Sequence, residues 1–350
     1  MQLHLINGQQ QSVTPWDNGF ILKTLLFLMI SGLIEGYDLG VTAFMNLKIN
    51  DRYFLSLSSL GSAFGALFSG PIVDKWGRRS VVIMADLLYL MGGVVMTFYN
   101  YEHWVIYAGR FIVGLATGVT SMNVPIYISE VVPNEVRGRF VAWYAFLIVA
   151  GQLLANVMAL ILINVDFIII IFWIGELFVL IQILGLVFVI PESPRWLAKN
   201  GQTSEANKVL DKVYKPEYVE VYKRSLSKEI GWMRNTNQLP LLQQYKVLFL
   251  KYSRLILIGC GLMICQQVSG IVIAVQYGPI LIENAGFKTA DVSDEVAALI
   301  LSLPLSFVQM LGTIIAITVI DTRGRRKVLL KTLPIIFLCM ATAGASFAAY

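Results

Sequence analysis

Apolar residues in this chain gather into long runs separated by short polar stretches, and the run lengths are the first thing they specify. A helix needs about 20 apolar residues to cross the hydrocarbon core of a bilayer. Nine runs reach that scale: 20–44, 53–73, 80–99, 104–129, 139–163, 167–190, 254–284, 296–320 and 328–350. The pattern predicts nine transmembrane helices, six before and three after one long polar segment. That segment, 191–253, opens with Ser193 placed as an N-cap and Pro194 at the first helical position. Further on, Ala206, Val209, Leu210 and Val213 recur at helical spacing among charged residues, which predicts short amphipathic helices at the membrane surface. The expected organisation is a polar N-terminal segment 1–19, a six-helix bundle 20–190, the joint 191–253 and a shorter group 254–350. Three helices balance only half of six, so the second group is expected to be truncated and the chain a fragment.

Composition agrees: 57% hydrophobic and 14% charged leaves too little polar surface for a soluble fold. The net charge of +5 could suggest nucleic acid, but topology accounts for it. With the N-terminus cytoplasmic, 23 of the 27 Lys and Arg fall inside, three (Lys48, Arg52 and Lys288) outside, and Arg110 within a helix. Cys260, Cys265 and Cys339 lie in apolar runs, and His4 and His103 stand far apart. No spacing suggests a metal site, a cofactor or a catalytic constellation. An integral, multi-pass membrane protein is expected, with the plasma membrane as its place, the lipid bilayer as a partner and no nucleic acid.

One charged stretch occurs twice. Asp74-Lys75-Trp76-Gly77-Arg78-Arg79 returns 247 residues later as Asp321-Thr322-Arg323-Gly324-Arg325-Arg326, each time between apolar runs. One copy could be an ordinary cytoplasmic loop; two in register, one per half, mark an internal duplication of the kind found in transporters built from parallel repeats. Asp74, Arg78, Arg79, Glu130 and Arg137, with Asp321, Arg325 and Arg326, are expected to form a cytoplasmic gate network, and Asp86 is read as part of it. The alternative is a set of solvated loop charges, which contribute little.

Within the spans, Gly32, Gly36 and Gly40 make a small-residue stripe beside Glu35 and Asp38, and Gly114 and Gly118 continue a stripe from Arg110. At 1.5 Å per residue, Asp38 and Arg110 each lie about 9 Å from the outer ends of their helices, and Glu176 about 13 Å. Ionisable groups at such depth are costly, so these three argue for a shared, partly hydrated interior, with a static ion pair as the alternative. The adjacent amides Gln266 and Gln267, then Gln276-Tyr277-Gly278-Pro279, suit a polyhydroxylated ligand at a broken helix. Gln152 and Asn156, and also Gln309, could face the same cavity or make interhelical hydrogen bonds.

Together these residues resemble the sugar porter branch of the major facilitator superfamily. The resemblance is carried by Gly36-Tyr37-Asp38, the doubled Asp-x-x-Gly-Arg-Arg, Gly109-Arg110-Phe111, Pro125-x-Tyr127-x-x-Glu130 with Arg137-Gly138-Arg139, Pro191-Glu192-Ser193-Pro194-Arg195, and Gln266-Gln267-x-Ser269-Gly270. It implies an all-α fold of two six-helix bundles that work by alternating access, with a hexose, pentose or polyol bound between them. Asp38 with Arg110 is similar to the proton-coupled members, and Glu176 to the third ionisable group of a xylose and proton symporter, so protons are an expected partner. Gln152, Gln266, Gln267 and Tyr277 are the expected substrate ligands. Val272 stands where the family usually carries Asn, and Glu35 where it carries an apolar or aromatic residue. A facilitator and a transporter-like sensor are the competing functions; a membrane enzyme is the weakest, because no nucleophile, base and orienter occur together.

Overall fold

The structure, a computed structural model, describes residues 18–49, 51–98, 103–133, 136–162, 169–237, 243, 246, 249–271, 276–278, 280 and 294–349. Its regular elements are helices: α1 (Asn18–Ile49), α2 (Arg52–Trp76), α3 (Arg78–Met96), α4 (His103–Val131), α5 (Arg137–Leu162), α6 (Ile169–Phe188), α7 (Pro194–Lys199), α8 (Thr203–Val213), α9 (Pro216–Asn237), α10 (Ser253–Val268), α11 (Asp294–Arg323) and α12 (Arg325–Ala349). Among the described residues seven, α1 to α6 and α11, are long and apolar enough to cross a membrane. The expected seventh span is divided: α10 stops before Gly270, whose φ of +71° suits glycine, rather than at Gly278-Pro279. Gly278 is helical and Pro279 lies outside the described residues. The expected ninth span is a single helix, α12, that starts with Arg325-Arg326-Lys327.

Small residues decide how the first six helices pack. α1 runs along α5, α2 and α3 along α4, and α6 closes against α1 and α3. Gly36 lies so near α5 that a Cβ there would collide with the Ile148 backbone, while Gly114 and Gly118 of α4 press on the Ser58 and Ser62 backbone of α2. Lipid offers helices no hydrophobic drive to associate, so close van der Waals approach along these stripes supplies much of the adhesion.

The two Asp-x-x-Gly-Arg-Arg copies fold alike at their turn. Gly77 joins α2 to α3 at φ +92°, and Gly324 joins α11 to α12 at φ +81°. Each glycine takes a conformation that disfavours a side chain, which is why the repeat keeps it.

The joint differs from expectation. Ser193 Oγ accepts from Trp196 N at 3.3 Å to cap α7, as the sequence indicates. The apolar stripe of α8, however, is covered by protein: Ala206, Val209, Leu210 and Val213 share a core with Leu197, Ala198, Val219, Tyr127, Val131, Leu186 and Ile190. The amphipathic helices therefore bury their apolar faces on the inner end of the bundle and on each other. The second half meets the first where α11 packs on α5, with Asn156 Nδ2 donating to Ser306 Oγ at 2.8 Å.

Gly36→Val should overpack the α1–α5 contact and cost about 1–3 kcal/mol. We expect a lower Tm in detergent and less monodisperse protein; an unchanged Tm would refute the contact.

Candidate functional site

Arg110 is 1% exposed, deep among α1, α2 and α4. Its Nη1 donates to Asp38 Oδ1 at 2.7 Å and its Nη2 reaches Oδ2 at 3.4 Å, Ser58 Oγ at 3.3 Å and Thr42 Oγ1. The Phe54 ring lies 5.0 Å from the guanidinium carbon, a cation–π distance. Thr42, one turn beyond Asp38 on α1, donates its own proton back to the Asp38 carbonyl at 2.6 Å. The two ionic partners differ in access: the Asp38 side chain is 16% exposed and the Arg110 side chain 1%.

A cavity of about 40 Å³ adjoins the pair, lined by Asp38, Glu176, Tyr37, Tyr89 and apolar side chains of α1, α3, α4 and α6. It has room for about one to three water molecules and none for a sugar. Glu176 stands on its α6 wall, pressed against Gly93 of α3, and its Oε2 is buried without a hydrogen-bond partner among the described residues. Asp38 and Glu176 thus face one small, largely apolar space, with Arg110 paired to Asp38 outside its lining. Glu35 faces away from it, accepting from the Tyr144 hydroxyl of α5 at 2.7 Å.

The inner surface carries the second cluster. Arg78 places Nε 2.8 Å from Glu130 Oε2 and donates from Nη2 to Oε1 at 2.9 Å, a two-pronged pair with both side chains about a tenth exposed. Asp74 lies 3.4 Å from Arg78 and 3.3 Å from Lys199. Arg79 takes a different path from the expected one: it donates to the Leu186 and Val187 carbonyls at the end of α6, each at 2.7 Å. Cations suit a helix C-terminus. Arg137 opens α5, half-buried. The side chains of Asp321 and Arg325 lie outside the described residues, and Arg326 is exposed.

Glu192 is the residue the sequence reading undervalued. Its carboxylate accepts from the backbone N–H groups of Arg78 (2.9 Å), Arg79 (3.1 Å) and Ser193 (2.8 Å), and a Cβ on Gly77 would strike it. Ser193 also donates to Glu130 at 2.5 Å, and Asn123 Nδ2 to the Arg78 carbonyl at 2.8 Å. Glu192 lay in a recognised motif, but only the fold shows that it caps the N-terminus of α3 across 114 positions. Asp86 is not joined to this network; it is 1% exposed inside the bundle.

The expected substrate ligands differ in exposure. Gln152 is buried on α5, Gln266 and Gln267 are exposed on α10, and Tyr277 is half-buried after the break in that helix. Val272 lies outside the described residues.

Residues 24–350 match the family model described as Sugar (and other) transporter. "Probable inositol transporter 2" of Arabidopsis thaliana is 33% identical over 91% of this chain and 56% of its own length. The Homo sapiens "Proton myo-inositol cotransporter" is 29% identical over 91% of this chain and 49% of its own. The chain therefore spans about half the length of these two relatives. The major facilitator superfamily proton:xylose symporter XylE, bound to 6-bromo-6-deoxy-D-glucose, superposes with a TM-score of 0.72 at 23% identity, covering 88% of this chain and 70% of that one. That likeness shows a shared fold.

Glu130→Gln should leave the Arg78 guanidinium buried beside a neutral partner, at a cost of about 3–5 kcal/mol for a broken buried pair. The expected readouts are a lower Tm and faster labelling of a cysteine placed at position 74; retention of both values would assign the pair to the solvated surface.

Proposed function

Because the chain belongs to the sugar (and other) transporter family, we propose that the complete protein carries a polyol or monosaccharide across its membrane by alternating access, together with a proton. Members of this family are transporters, not enzymes. The chain's relatives include inositol transporters and a proton myo-inositol cotransporter, which favours a cyclic polyol as the substrate class. One observation carries the coupling: Asp38, paired to a fully buried Arg110, opens on a water-sized cavity that it shares with Glu176.

A proton entering that cavity can reach Asp38 without passing Arg110. Neutralised, Asp38 gives up its charge-assisted bonds, and Arg110 keeps the Thr42 and Ser58 hydroxyls as partners. Glu176, across the cavity, is the acid positioned to draw the freed guanidinium or to hold the next proton. Each proton moving with the membrane potential gains about 2.3 kcal/mol per 100 mV, which is available to concentrate the substrate. We assign Gln152, Gln266, Gln267 and Tyr277 to substrate binding, with Arg78, Glu130, Asp74 and Glu192 latching the cytoplasmic side of the N-terminal bundle. The charge distribution supports a cytoplasmic N-terminus, and we place the protein in the plasma membrane.

Asp38→Asn in the full-length protein should retain binding and exchange but lose proton-driven accumulation and its dependence on external pH. Uptake into liposomes under an imposed proton gradient measures this; concentration of substrate by that variant, or mere equilibration by the unmutated protein, would replace symport with facilitated transport. Gln266→Ala and Gln267→Ala should each weaken binding by about 1–3 kcal/mol through lost hydrogen bonds. Equal affinities in titration calorimetry would return the pair to helix packing.

A further inference from the structure

Asp86 belongs to neither charge network. It is buried on α3, and neither carboxylate oxygen has a hydrogen-bond partner among the described residues. Such burial is costly unless something answers the charge. The surrounding cations are engaged elsewhere: Arg78 by Glu130, Arg79 by the end of α6, and Arg110 of α4 by Asp38. On the helices packed against α3, the remaining ionisable groups with described side chains are Lys75, Asp74 and Tyr53 of α2, Tyr107, Tyr127 and Glu130 of α4, and Glu176 of α6. Lys75 is exposed, and the tyrosine nearest the inner side, Tyr127, donates to the Pro191 carbonyl.

Its position connects it to the cavity. Asp86 lies seven residues inward of Gly93, two helical turns or about 10 Å, and so on the same stripe of α3. Gly93 is the residue against which Glu176 presses. Tyr89, less than one turn from Asp86, lines the Asp38–Glu176 cavity. At similar depth on α6, Gln182 gives its Nε2 proton to Ser31 and buries an Oε1 with no partner among the described residues. Two turns inward of the cavity, buried acceptors thus stand without donors.

We propose that Asp86 is a second proton-binding site, which takes the coupling proton from the Asp38–Glu176 cavity and passes it toward the cytoplasmic face within the N-terminal bundle. The inference rests on the symport reading above. The step moves one proton and no electrons: the O–H bond of the Glu176 acid breaks, leaving its carboxylate, as one forms on the Asp86 carboxylate, with intervening water handing the proton across the roughly 10 Å between the two levels. Protonated Asp86 gains the donor that its surroundings lack. From there the Arg78–Glu130 network lies eight residues further along α3, about 12 Å. A relay of this kind keeps the proton path inside one bundle and off the sugar path between bundles.

The test uses the full-length protein in liposomes with radiolabelled myo-inositol, comparing the unmutated protein with Asp38→Asn, Asp86→Asn and Gln182→Met. The ratio of proton-driven uptake rate to exchange rate should fall about a hundredfold in Asp86→Asn, the scale of a lost proton-transfer group. Gln182→Met should lower it in the same direction. The infrared spectrum of the unmutated protein should contain a buried carboxylic-acid band that Asp86→Asn removes. An unmoved ratio, an unaltered spectrum, or loss of exchange together with accumulation would overturn the relay. If Asp38→Asn lowers the ratio and Asp86→Asn does not, the relay alone fails; if the unmutated protein shows no proton-driven uptake, the symport reading fails and the relay with it.

Discussion

A guanidinium buried as deeply as that of Arg110 cannot be solvated by water, so its charge must be answered from within the bundle. Two helices supply that answer to the arginine of α4: Asp38 and Thr42 from α1, and Ser58 and Phe54 from α2. They can do so only because glycines and serines let the backbones approach. Gly114 and Gly118 seat α4 on Ser58 and Ser62, which brings the Ser58 hydroxyl within reach of Arg110. Close packing and charge burial are here one constraint, since wider helices would leave the arginine without partners.

The inner surface solves a related problem with different means. Arg78 is engaged by Glu130, while the N–H groups at the start of α3 are satisfied by Glu192, which arrives from the far end of α6. Arg79 satisfies the carbonyls that α6 leaves open. The ends of α3 and α6 therefore cap one another, and the first Gly-Arg-Arg is a helix-end device as much as a charge cluster. Gly77 is needed because its positive φ and the nearby carboxylate both exclude a side chain.

Much of this was legible in the sequence because membrane burial makes periodicity and charge placement informative. Depth counting along helices put Asp38, Arg110 and Glu176 at similar levels, and the structure pairs the first two, while glycine spacing marked the faces where helices come close. What stayed hidden depended on which way side chains turn across long separations. Nothing in the run of residues says that Arg79 turns to α6 rather than to Glu130, or that α8 hides its apolar face on the bundle rather than in the membrane. Asp86 was misread for a similar reason: its distance from the cytoplasmic end suggested the loop network, whereas its place on the α3 stripe puts it inside. The amides of α10 were recognisable as chemistry, but the break at Gly270 shows how little local propensity says about where that helix stops.

The packing also gives the proposed coupling a physical route from proton to substrate. Gly32, Gly36 and Gly40 lock α1 to α5 through backbone contact at Tyr144, Ile148 and Gln152, so α1 cannot shift alone without opening that seam. Dense interiors transmit small displacements instead of absorbing them. α5 in turn carries Gln152 and Asn156, and Asn156 reaches Ser306 of α11 in the second half. Under the symport reading, a proton that frees Asp38 from Arg110 changes the balance holding α1 to α2 and α4. The displacement then has a packed path through α5 to the polar contact between the halves. Under that reading the α5–α11 seam is the element that both events bias, since its Asn156–Ser306 hydrogen bond joins small side chains and can be exchanged at little cost.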